Sequence, residues 1–178
     1  EDGVGEIVTR SDSVMLGYYD NPEETAKVLK DGWLYTGDYG YIDDRGFLYI
    51  TGRKKNVIVT KNGKNIFPEE VEYYLGKSQY ISEVIVEGVP QSDGELIVTA
   101  HIVPDRETIQ EQVGDLDNEQ MKKFFKKIID DTNDQMPSYK RVKRFVIREE
   151  EFEKTSTKKI KRFGTPLSSA GAENTGEK

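Results

Sequence analysis

The stretch EKTSTKKIKRF, Glu153 to Phe163, gathers Lys154, Lys158, Lys159, Lys161 and Arg162 near the end of a chain whose formal charge is −7. Such a run can be a solvated basic segment, a nucleic-acid patch, or the site of one lysine that does chemistry. Lysine suits the last role on a mobile loop, being a compact charge on a flexible stem. Two further residues could hold a nucleotide. Asp38, in YTGDYG, has only acceptors when ionised and can take both hydroxyl donors of a ribose. Arg53, in TGRKKN, is a planar donor able to fork onto ribose or phosphate oxygens. Each has a plainer reading. Gly37 and Asp38 suit an ordinary turn, and Arg53 an exposed basic one. The same holds for Gly63 in KNGKNIFPEE, a glycine loop that allows close approach of a ligand or simply joins a strand to a helix. His101 is the single histidine of a chain without cysteine, so it reads as packing or surface. No zinc spacing, GK[ST] phosphate loop or GxSxG elbow is present, and no metal ligands are assigned.

These residues need elements to hold them. GEIVTRS reads as a short strand. NPEETAKVLKDG reads as a helix, with Asn21 as N-cap, Pro22 in the first position, Glu24 at capping-box spacing and Gly32 as its end. Alternating aromatics around DDRG predict a hairpin that sets Asp38 and Arg53 on neighbouring strands. A strand and the Gly63 loop follow. A helix is expected from Pro68 to Gly76, with Glu69 and Glu70 in its first turn. Two strands joined by PQSDGE come next. In the later helix, Met121, Phe124, Phe125, Ile128 and Ile129 recur at helical spacing. KRFVIREE is a short strand. The Gly/Ser/Ala-rich end after Phe163 reads as disordered. The order of elements predicts an α+β unit with helices packed on a small sheet.

The acidic balance argues against nucleic acid as a partner. Without cysteine there is neither a disulfide framework nor a thiolate metal site. No apolar run approaches membrane-spanning length. The chain opens EDGVGEIV, without Met, as a piece cut from mid-sequence would.

Taken in order, GWLYTGD, GRKK and NGKNIFPEEVE, followed far downstream by TSTKKIKR, resemble the C-terminal part of AMP-forming acyl-CoA synthetases, within the adenylate-forming superfamily. The flavour is that of long-chain fatty acid–CoA ligases. The resemblance implies a β-rich end of a large N-terminal domain over 1–53, a hinge at 54–55, a mobile C-terminal domain over 56–163 and a tail over 164–178. It implies that Asp38 binds the ATP ribose hydroxyls, that Arg53 meets ribose and phosphates, that Lys55 is the hinge and that Gly63 approaches the pantetheine arm of CoA. The adenylation lysine falls on Lys159. The family's motif has Gly where this chain has Lys158, and Pro where it has Glu153, so Lys158 is a rival. ATP and Mg2+, held mainly by the missing domain, and CoA as co-substrate are implied, with a fatty acid or other carboxylic acid as acyl partner. So is a cytoplasmic enzyme with scope for peripheral membrane contact, inactive as this piece alone. The alternatives are a piece of another adenylating enzyme, for aryl, medium-chain or amino acids, and a non-catalytic anion-binding module.

Overall fold

The computed structural model describes residues 3–92 and 94–162. The expected disordered tail, 164–178, lies outside the described residues. The architecture is mixed α and β, as expected. Two compact units divide between Val57 and Ile58.

The first unit is built on one long strand. β1 (Gly5–Thr9), α1 (Pro22–Val28), β2 (Leu29–Lys30), β3 (Trp33–Ile42) and β4 (Leu48–Arg53) follow in order. All three other strands pair antiparallel with β3. The Asn21 side chain caps α1 by accepting the Glu24 N–H, and Pro22 opens the helix. Gly32 does not end it. The helix stops at Val28, because Leu29 and Lys30 turn extended and join β3; Gly32 serves the turn that follows. A 3-10 turn, Lys54–Asn56, closes the unit.

The second unit begins with a two-stranded ribbon, β5 (Ile58–Val59) and β6 (Asn65–Ile66). It continues through α2 (Pro68–Leu75), β7 (Ile81–Pro90), β8 (Leu96–Pro104), α3 (Arg106–Gln112), α4 (Asn118–Asn133) and β9 (Arg144–Ile147). β8 is central, antiparallel to β7 and parallel to β9. A parallel partner demands a crossover, which α3 and α4 supply. α4 starts with a full capping box between Asp117 and Gln120. Val86, Val98, Ala100 and Ile102 point one way from the sheet and pack with Val71 and Leu75 of α2, Ile109 of α3, and Met121, Phe125 and Ile129 of α4. The opposite face carries Ile85 and Val103, joined by Phe152 and Ile160 from the closing segment. His101 shares that face, buried, with Nε2 2.8 Å from Glu87 Oε1. It is a packed residue. No helix among the described residues is long and apolar enough to cross a membrane.

Candidate functional site

In the first unit, β3 is bulged where the chemistry sits. β1 pairs Glu6 with Tyr39 but Val8 with Tyr35, so β3 carries surplus residues between these pairs. Thr36, Gly37 and Asp38 fill that bulge, with Gly37 at φ +72°. Only glycine enters that region without strain. The Thr36 hydroxyl ties the bulge down, donating to the Ile7 carbonyl at 2.8 Å and accepting the Asp38 N–H at 3.1 Å. On the other edge of β3, Asp38 faces Arg53 in register. Arg53 Nε lies 2.9 Å from Asp38 Oδ1, and its Nη1 donates to the Thr36 carbonyl at 3.4 Å. The hairpin therefore brings Asp38 and Arg53 together, as expected. The Asp38 Oδ2 atom takes no hydrogen bond from the described residues, which leaves an acceptor beside a half-exposed guanidinium. Such a pair can offer acceptors to two neighbouring hydroxyls and a cation to a phosphate.

Lys55 is exposed, in the 3-10 turn just before the division between the units. Gly63, at φ +72°, lies in the loop between β5 and β6.

The basic run folds as a hairpin. Lys154 bridges Ile160, the Thr155 N–H donates to the Lys159 carbonyl at 2.8 Å, and the Lys161 N–H to the Glu153 carbonyl at 2.8 Å. At its tip, the Lys158 N–H donates to the Thr155 carbonyl at 2.9 Å, and the Lys159 N–H to the Thr155 hydroxyl at 3.2 Å. This is a three-residue loop whose last member is left-handed, a slot that favours glycine. Among the described residues three other loops share the pattern. Asp43–Phe47, Thr60–Lys64 and Gln91–Glu95 each have an N–H at the first position donating to the carbonyl at the fifth, and an N–H at the fourth donating back to the first. Their fourth residues are Gly46, Gly63 and Gly94, at φ +84°, +72° and +77°. In the closing hairpin that place is taken by Lys158, at φ +61°.

Two carboxylates that the sequence did not single out hold this hairpin. Glu83, on β7, accepts the Phe152 N–H at 2.9 Å and pairs with Lys154 Nζ at 2.5 Å. Glu151 first and Glu83 second hold the Lys154 ammonium above its usual range. At the far end Arg162 meets Glu72 of α2 and donates to the Val86 carbonyl at 3.3 Å. Glu72 in turn accepts the Val86 N–H at 2.7 Å. Lys161 lies 3.6 Å from Glu153. That commits Lys154, Lys161 and Arg162. Lys158 and Lys159 are exposed, and neither ammonium has an ion pair or hydrogen bond among the described residues.

Burial is the chief influence on Glu72 and pushes its carboxyl above 4.5, while Arg162 and the Val86 amide pull it back. A folded pKa above the unfolded one means that this group's contribution to stability is full below about pH 4.5 and declines as pH rises through the folded value. At neutral pH the ionised Glu72 therefore depends on its partner. Arg162→Ala should cost about 2 kcal/mol, because it strands a buried charge. Glu72→Gln, neutral and of the same shape, should cost roughly less than half of that, because it removes the buried charge while its amide oxygen can still accept the Val86 N–H. Urea unfolding of the two variants at pH 7 checks the order; the reverse order would contradict it.

The description AMP-binding enzyme C-terminal domain matches residues 55–165. Over 99 residues the chain is 50% identical to the long-chain-fatty-acid–CoA ligase of Bacillus subtilis (strain 168), covering 56% of this chain and 18% of that protein. It is 46% identical over 101 residues to the indoleacetate–CoA ligase of Aromatoleum aromaticum (strain DSM 19018 / LMG 30748 / EbN1), covering 56% of this chain and 19% of that protein. The chain thus spans about a fifth of the length of these relatives. Among solved structures, the anthranilate CoA ligase AuaEII in complex with anthranoyl-AMP matches with a TM-score of 0.74 at 27% identity, over 90% of this chain and 29% of that one.

Proposed function

The chain belongs to the family of AMP-binding enzyme C-terminal domains, and from that premise we propose that it is the C-terminal part of a longer ATP-dependent acyl-CoA ligase acting on long-chain fatty acids. The observation that carries this reading is the closing hairpin, which presents an uncommitted Lys159 next to the left-handed slot. In the family's motif a glycine precedes the adenylation lysine. Lys158 holds the left-handed backbone conformation that favours glycine, which supports reading it as the glycine position and Lys159 as the lysine that follows. That choice favours Lys159 over Lys158 as the adenylation residue.

Two half-reactions divide the work. In the first, an oxygen of the fatty acid's carboxylate bonds to the α-phosphorus of ATP, and pyrophosphate leaves with the electrons of the broken P–O bond. Lys159 neutralises the carboxylate and the α-phosphate and holds them in line. Asp38 accepts from the ribose hydroxyls, and Arg53 stays beside ribose and phosphate. In the second, the CoA thiol attacks the acyl carbonyl and AMP leaves. Lys159 must then withdraw, and a rotation about Lys55 removes it and brings the Gly63 loop to the pantetheine arm. Mg2+ travels with ATP and, as in the family, is held mainly by the rest of the longer protein. The chain by itself is expected not to turn over.

The acyl group is read outside these residues, and the long-chain choice follows the flavour of the motifs and the 50% identity over 99 residues to a long-chain ligase. Full-length ligase assayed with ATP, CoA and an acid series should show kcat/KM rising with chain length. Each buried methylene adds about 0.8 kcal/mol, or roughly fourfold, until the pocket is full. Preference for aryl acids would refute the chain-length reading alone. No ATP-dependent thioester formation, together with salt-sensitive binding to anionic vesicles, would favour an anion-binding module instead.

A further inference from the structure

We propose that Lys158 is a second polyphosphate ligand beside Lys159, holding the β- and γ-phosphates of ATP, the part that departs as pyrophosphate. This rests on the reading in which Lys159 serves adenylation.

The starting point is a misplaced residue type. Four loops share one hydrogen-bond pattern; three put glycine in the left-handed position and the fourth puts Lys158 there. An L side chain in that region presses its Cβ against the following carbonyl oxygen. Among the described residues the other non-glycine positions with positive φ are Asp20 and Asp31. Aspartate enters the region readily, lysine much less so. Strain kept at one loop and absent from its three counterparts points to a use for the side chain.

The second observation is charge. Lys154, Lys161 and Arg162 are each paired to carboxylates, whereas Lys158 and Lys159 carry exposed ammonium groups with no described partner. Consecutive Cα atoms are about 3.8 Å apart, so both flexible stems start from the same hairpin tip. One ammonium matches one phosphate; two adjacent ones match a row of phosphates. When the carboxylate oxygen bonds to the α-phosphorus, the bond to the α,β-bridging oxygen breaks and its electron pair stays with the leaving pyrophosphate. A cation on the β- and γ-phosphates meets substrate and leaving group alike. Such uniform binding is felt in KM more than in kcat.

Lys158→Gly is the deciding variant, because glycine relaxes the backbone and the hairpin is kept. In the full-length ligase it should raise the KM for ATP and the inhibition constant of pyrophosphate about three- to fivefold, the scale of one exposed charge contact. The kcat should stay within about twofold. Lys158→Arg should retain most of the affinity. Unchanged KM and inhibition constant in Lys158→Gly overturn the proposal, and so does a loss confined to kcat. Lys159→Ala in the same assay separates two failures. If it adenylates normally, the reading beneath is wrong. If it is crippled while Lys158→Gly binds ATP as before, only the role of Lys158 is lost.

Discussion

Lys159→Ala in the full-length ligase should lower acyl-adenylate formation by about 100- to 1,000-fold, the loss typical of removing one preorganised charge from a developing oxyanion. Thioester formation from supplied acyl-adenylate and CoA should change by less than about threefold, since the proposed mechanism uses the lysine in the first half-reaction only. The measurement is pyrophosphate release with acid and ATP, set beside CoA-ester formation from the adenylate. The hairpin makes the contrast sharp. Its ends are tied by Glu83 and Arg162, and its tip by backbone bonds that do not involve the Lys159 stem. Truncating that stem removes a charge and leaves the scaffold. Equal losses in both half-reactions would point to damaged structure instead, and full adenylation would remove Lys159 from the mechanism.

Asp38→Ala should lower kcat/KM for ATP by about 100-fold. Each charge-assisted hydrogen bond contributes roughly 1.5–3 kcal/mol, and a ribose presents two hydroxyls. The expected effect is set at the low end because the same carboxylate also holds Arg53, which will partly re-pair with solvent once freed. A ligand change separates these contributions. The wild type should discriminate strongly against 2′-deoxy-ATP, and Asp38→Ala should discriminate much less, since the acceptor for that hydroxyl is gone. The difference of differences isolates the contact itself. Undiminished discrimination in the variant would show that the hydroxyl is read elsewhere.

Much of this was legible in the sequence, for reasons that differ by element. The α4 stripe could be read because five apolar residues repeat at helical spacing, and three of them, Met121, Phe125 and Ile129, are buried. The placing of Asp38 and Arg53 on neighbouring strands followed from alternating aromatics around the DDRG turn; their direct register is visible only in the fold. α3 escaped because Ile109 is its single buried residue, so the segment has no periodicity to read. The end of α1 was misplaced because strand pairing with β3 outweighed the usual meaning of a following glycine. The closing hairpin was hidden by its own exception: with lysine where a glycine belongs, the turn signal is erased. Glu83 and Glu72 could not be read at all. Their partners lie 69 and 90 residues away in sequence. Only the folded sheet makes them neighbours.

The parallel pairing of β9 with β8 also sets the order in which the protein becomes competent during folding. Closing a parallel pair across two intervening helices is entropically expensive and comes late compared with the local β7–β8 hairpin. The lysine hairpin follows β9 in the chain, and it docks on Ile85 and Val103, one from each of the two earlier strands. Its platform is therefore the β7–β8 pair, and it reaches that platform only after the chain has passed through β9. A partly folded chain can thus hold the β7–β8 pair and its helices while the lysine hairpin, later in the chain, is still undocked.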